Sequence, residues 1–152
     1  MRVVFTGGGS GGHLTPIIAV AREVKRIAEE ERILDLELYY LGPEAMAPDI
    51  AAAEGIIASR IPAGKFRRYF SLWNAVDAFT VVLGAVAAFW KMFLIMPDAV
   101  FSKGGFGSFP VTLASRLYRI PFMVHEPDAV TGPVNPWAGK WARRVAVSFP
   151  GA

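Results

Sequence analysis

Arg2-Val3-Val4-Phe5-Thr6 is a run of β-branched and aromatic residues, and Gly7-Gly8-Gly9-Ser10-Gly11-Gly12-His13 follows it directly. The first part reads as a buried strand. From about Leu14 to Glu31 the apolar positions Ile17, Ile18, Val20, Ala21, Val24, Ile27 and Ala28 recur at helical spacing, with Pro16 suited to the first turn. Strand, glycine turn and helix together open a βα unit. Glycine lets the backbone adopt positive φ and approach a ligand closely, and the amides at a helix start favour anions. Such a loop suits a phosphate, a diphosphate or a crowded sugar.

The same alternation continues along the chain. Strands are expected at Leu36–Leu41, Ile56–Ile61, Ala99–Ser102, Phe122–His125 and Val145–Ser148. Helices are expected at Pro48–Glu54, Leu72–Ile95, Phe109–Leu117 and Asn135–Arg143. Near-continuously apolar strands alternating with helices predict an α/β fold, a Rossmann-like doubly wound parallel sheet with strand order 3-2-1-4 at its centre. Ligands of such sheets bind at the carboxyl ends of the strands.

Two further segments follow strands. Ser102-Lys103-Gly104-Gly105-Phe106-Gly107-Ser108-Phe109-Pro110 repeats the glycine-rich logic beside the first loop, and the two would line one cleft. Lys103 either adds positive charge there or is a solvated loop lysine. His125-Glu126-Pro127-Asp128 places an imidazole and two carboxylates at a strand end, where they bind hydroxyls, transfer protons or cap the next turn. His13, directly after the glycines, is a candidate base.

Gly7, Gly9 and Gly12 also fit a dinucleotide fingerprint, which expects an acid about 20 positions on. Glu37 falls inside the second strand and Glu44 lies farther on, so a nicotinamide cofactor is poorly supported. With no cysteine among 152 residues, disulfides, Cys-ligated zinc and a thiol nucleophile are excluded. A 53% apolar, 19% charged composition excludes disorder.

Charge is divided unevenly. Residues 1–59 hold 5 basic and 9 acidic side chains, and residues 60–152 hold 11 basic and 4 acidic. The basic part points to an anionic partner. Arg60, Lys65, Arg67 and Arg68 interleave with Phe66, Tyr69 and Phe70, and Leu72 and Trp73 follow. Basic residues and aromatics in this mixture suit an anionic membrane surface. Single-stranded nucleic acid would leave both glycine loops unexplained. The next helix is apolar nearly all round and needs cover from lipid or protein. Only 13 uncharged residues separate Asp77 from Lys91, whereas a spanning helix needs about 20. No signal peptide is read at the start, so a cytoplasmic location is expected.

Gly8-Gly9-Ser10-Gly11-Gly12-His13 with Pro16, Gly104-Gly105 with Pro110, His125-Glu126 and Phe149-Pro150-Gly151-Ala152 together resemble the N-terminal domain of the MurG family. These are cell-wall glycosyltransferases of the GT-B class, glycosyltransferase family 28. The resemblance covers essentially the whole chain, in order. It implies the N-terminal half of a GT-B fold and an inverting transfer of N-acetylglucosamine from UDP-N-acetylglucosamine to the 4-hydroxyl of a lipid-linked muramoyl-peptide acceptor, lipid I. The product is lipid II, for peptidoglycan synthesis. No metal and no cofactor are implied.

Carried over by position, the resemblance makes His13 and Glu126 catalytic candidates. Ser10, Gly11 and Gly12 would reach the donor, and Gly104 and Gly105 the acceptor diphosphate. Asp128 stands where the family often has asparagine; an ionised aspartate repels a diphosphate but accepts from sugar hydroxyls. Ser10 stands where threonine is common. The resemblance also implies peripheral attachment to the cytoplasmic membrane face, with Lys65, Phe66, Arg67, Arg68, Phe70 and Trp73 as contact residues.

The family's second, donor-binding Rossmann domain is not in this sequence. Residues 1–152 are therefore expected to be a single acceptor-binding domain, inactive without a C-terminal domain or partner chain. The alternative is a non-catalytic membrane-associated subunit that binds a lipid-linked sugar for a separate donor-binding chain.

Overall fold

The computed structural model describes residues 1–8, 14–63, 73–127 and 134–149, with the backbone alone for 73–78. Six strands form one sheet: β1 (Arg2–Thr6), β2 (Glu37–Gly42), β3 (Ile56–Arg60), β4 (Ala99–Ser102), β5 (Phe122–Glu126) and β6 (Arg144–Val147). The helices are α1 (Leu14–Glu30), α2 (Pro48–Ala53), α3 (Trp73–Ile95), α4 (Phe109–Tyr118) and α5 (Val134–Gly139), and a 3-10 turn at Phe106–Ser108 precedes α4. The strand order is β3-β2-β1-β4-β5-β6, and every described pairing is parallel. This is the expected doubly wound sheet, with its switch point between β1 and β4.

Alternation along the strands sorts the core into two layers. Val4, Val100 and Val124 point to one face and pack with Ala88 and Met92 of α3, Val111 and Ala114 of α4, and Ala138 of α5. Val3, Phe5, Leu38, Tyr40 and Phe101 point to the other and meet Ile17 and Ala21 of α1 and Ala51 of α2. Both faces of β1 are thus covered, which is why its sequence carries no polar alternation.

The second face is covered less completely past β1. An apolar groove of about 490 Å³ runs along it, lined by Val20 and Val24 of α1 and by Phe101, Met123, His125 and Ala146, among others. It lies on the sheet's face, and no described glycine-loop residue lines it.

α3 packs one side only. Ala88 and Met92 are fully buried, while Phe79, Val82, Leu83, Val86, Trp90, Phe93 and Leu94 are all exposed. Their spacing makes one continuous apolar stripe. Among the described residues no helix is long and apolar enough to cross a membrane.

α5 is shorter than expected. It stops at Gly139, and the Lys140 and Trp141 amides turn back to the Trp137 and Ala138 carbonyls. The Arg143 amide then donates to Phe122 O at 2.8 Å, which starts the β6 ladder inside the segment expected to be helical.

Candidate functional site at the carboxyl ends of the strands

The two glycine loops meet. Gly7 and Gly8 leave β1, and the Gly107 amide donates to the Gly8 carbonyl at 3.2 Å. A Cβ at Gly105 or Gly107 would stand 2.8 or 2.9 Å from that carbonyl oxygen, closer than real side chains come. The approach of the two backbones therefore requires glycine on the second loop. Gly104 and Gly105 also have φ of 86° and 83°, in the left-handed region that glycine tolerates.

β2 adds to the junction. The Pro43 ring, just past its end, packs against Gly8 and Gly107, and the Glu44 carboxyl group comes near Gly8. The Tyr40 hydroxyl donates to Gly7 O at 3.1 Å, in a buried position. Burial, and secondarily the charge of Glu44, push that phenol up to about 12, so it remains a donor well into alkaline solution. Three neighbouring strands, β2, β1 and β4, thus hold the base of one cleft.

β4 and β5 supply its polar groups. The Ser102 hydroxyl accepts from the Gly104 amide at 3.2 Å, and the Ser108 hydroxyl donates to Gly105 O at 2.8 Å. Glu126, at the end of β5, is buried and accepts from Asn135 Nδ2 at 2.8 Å. Lys103 is buried too, at 6% exposure, which corrects the solvated-lysine alternative. Its amide extends the ladder to Thr6 O at 2.8 Å, and its stem passes close to Gly7.

His125 faces the groove side, stacked on Phe101 with ring centres 6.2 Å apart, and its Nε2 lies 3.2 Å from Ser148 Oγ. Burial chiefly, and then the charge of Lys103, hold the imidazole below its usual range, against the opposing pull of Glu126. Three buried polar atoms have no hydrogen-bond partner among the described residues: Thr6 Oγ1, His125 Nδ1 and Asn135 Oδ1.

Of the residues named from sequence, Gly104, Gly105 and Glu126 come together at this corner. His13, Ser10, Gly11, Gly12 and Asp128 lie outside the described residues, as do Lys65, Phe66, Arg67, Arg68 and Phe70. Trp73 opens α3, with only its backbone described. Glu37, one acid weighed for a dinucleotide ribose, sits at the amino end of β2, away from the cleft, bonded to Arg2 at 2.9 Å. Sequence reading passed over Asn135, Tyr40 and Pro43, which act through partners 9 to 64 positions away. It set Glu44 aside on spacing alone. Among the described residues no three His, Asp or Glu side chains group as metal ligands.

A parallel sheet of this order, with glycine turns closing on each other at its switch point, defines a Rossmann-like α/β domain whose ligand cleft lies above β1 and β4. Residues 3–147 match the glycosyltransferase family 28 N-terminal domain, and the chain belongs to that family. It is 40% identical over 150 residues to a Clostridium botulinum (strain Hall) protein named UDP-N-acetylglucosamine--N-acetylmuramyl-(pentapeptide) pyrophosphoryl-undecaprenol N-acetylglucosamine transferase, covering 98% of this chain and 40% of that one. A Bacillus cereus protein named as transferase 2 of the same type is 38% identical over 149 residues, covering 97% of this chain and 40% of the relative.

The crystal structure of Acinetobacter baumannii MurG superposes with a TM-score of 0.76 at 25% identity, over 99% of this chain and 42% of that one. UDP-GlcNAc 2-epimerase from Neisseria meningitidis shares the fold, with a TM-score of 0.53 at 16% identity, over 86% of this chain and 33% of that one. The chain spans about 40% of the length of the curated relatives it matches.

Proposed function

We propose that this chain is the acceptor-side domain of an inverting glycosyltransferase that moves N-acetylglucosamine from UDP-N-acetylglucosamine to lipid I, giving lipid II for peptidoglycan synthesis. The observation that carries the reading is the interlocked pair of glycine loops at the ends of β1 and β4, with the buried Glu126 carboxylate beside them, in a chain of family 28. The donor site is supplied outside these residues, by a second domain or a partner chain; the greater length of the relatives supports this.

In this reading the acceptor 4-hydroxyl attacks the anomeric carbon from the face opposite UDP. His13 takes the hydroxyl proton as the new C–O bond forms, and the electron pair of the broken bond leaves with UDP. Ser10, Gly11 and Gly12 reach the donor, and their amides assist in meeting the charge that develops on the leaving group. Gly104 and Gly105 run along the acceptor diphosphate. Glu126 and Asp128 accept from sugar hydroxyls.

The apolar stripe of α3 lies on an anionic membrane surface at the cytoplasmic face, and Lys65, Phe66, Arg67, Arg68, Phe70 and Trp73 contact the same surface. The exposure of Phe79, Val86 and Trp90, each above 60%, supports this docking. Exposed Arg116 and Arg119 flank the α4 end that Tyr118 ties to α3, through its hydroxyl bond to Phe89 O at 3.3 Å.

The test is turnover of UDP-N-acetylglucosamine with a lipid I analogue, for the chain alone and joined to a donor-binding domain. Transfer is expected only in the joined form, and His13→Ala there lowers turnover by about 100-fold or more while the protein stays folded. Unchanged turnover removes His13 from the mechanism. Absence of transfer in the joined form, with a donor domain proven to bind UDP-N-acetylglucosamine, contradicts the reading.

A further inference from the structure

Asn135 fits no motif of the sequence, yet it sits beneath the cleft at 8% exposure, in the first turn of α5. One edge of its amide donates from Nδ2 to Glu126 Oε2 at 2.8 Å. The amide also lies hard against Gly104, where a Cβ would overlap it. Its Oδ1 has no hydrogen-bond partner among the described residues.

A carboxylate only accepts hydrogen bonds, so only the NH2 edge of an amide can serve it. The unmet Oδ1 is the consequence of that orientation. Among the described residues, a buried acceptor is left without a donor while the Glu126 carboxylate is held in place. Gly104, with positive φ and no Cβ, makes the room this requires.

We propose that Asn135 is the positioning residue of this site, fixing the Glu126 carboxylate beneath the Gly104–Gly105 loop and tying the end of β5 to the end of β4. Lys103 and His125 share this corner and its electrostatics. That Glu126 serves glycosyl transfer rests on the function proposed above; the anchoring of its carboxylate does not.

The experiment reads the Glu126 carboxyl carbon and the Gly104 and Gly105 amides by NMR at one fixed neutral pH, in the 13C,15N-labelled chain and its variants. Asn135→Leu keeps the bulk of the side chain and removes the donor, and it moves all three signals. Asn135→Ala moves them as well, and Gly104→Ala displaces the amide from its seat and moves the carboxyl signal with Asn135 still present. A carboxyl signal unmoved in Asn135→Leu and in Gly104→Ala overturns the proposal, since a residue that merely packs would change stability alone. If Asn135→Ala does not fold, Asn135→Leu and Gly104→Ala decide the matter by the same signal. The measurement needs no substrate, so it can fail with the transferase reading intact, and the reverse holds equally.

Discussion

A buried lysine near a half-buried imidazole is an unusual pairing. Burial holds His125 below its usual pKa near 6.5, and the charge of Lys103 adds to the effect. The folded state therefore favours the neutral ring. Its contribution to stability is present above about pH 6.5 and is lost as pH falls through the lowered folded value. Lys103→Met removes the secondary cause and leaves the first, so the His125 midpoint rises part of the way back. Histidine ring NMR measures this directly, with His13 as the only other imidazole signal. A midpoint that does not move takes Lys103 out of the account. The burial of Lys103 was not legible in the sequence, because a lysine before two glycines looks like a loop cation. Only the close pass of its stem by Gly7 in the folded chain shows otherwise. Asn135 was invisible for a related reason. Hydrophobic period places a residue on a helix and says nothing of a side chain's partner nine positions back on another element.

At the level of the elements, the strands were the most legible. Arg2–Thr6 and Ala99–Ser102 fall where their β-branched and aromatic runs end, because glycine or a polar loop stops each. The shorter α5 was not legible, since Trp141 and Ala142 continue an apolar pattern, yet they form the turn that leads into β6. The end of α4 carries its own strain. Arg119 closes the helix at φ 58°, ψ 28°, its amide bonded to Arg116 O at 3.3 Å, while the Ile120 amide returns to Ser115 O at 2.9 Å. That left-handed position suits glycine. Arg119→Gly is therefore expected to stabilise the chain by about 1 kcal/mol, read as a higher melting temperature. A lower melting temperature would mean that the guanidinium has a compensating role.

For the molecule as a whole, the fold separates two surfaces. The cleft lies at the carboxyl ends of the strands, and the apolar stripe of α3 lies on a helix packed against the sheet's first face. The alternation of elements made the first surface legible. The second was legible only as an excess of apolar residues, because which side of a nearly uniform helix meets the sheet is set by packing. Val86→Glu and Trp90→Glu, both at exposed positions, are expected to weaken binding to anionic vesicles about tenfold or more without lowering the melting temperature. Unchanged vesicle binding would assign the stripe to a protein partner.

The most direct test of the central claim is the affinity of this chain for vesicles that carry lipid I, compared with vesicles of the same charge that lack it. Tighter binding to the lipid I vesicles, with the difference reduced by Glu126→Gln, is the predicted result. Equal affinity for the two, with the chain folded, would contradict an acceptor site at the ends of β1, β4 and β5.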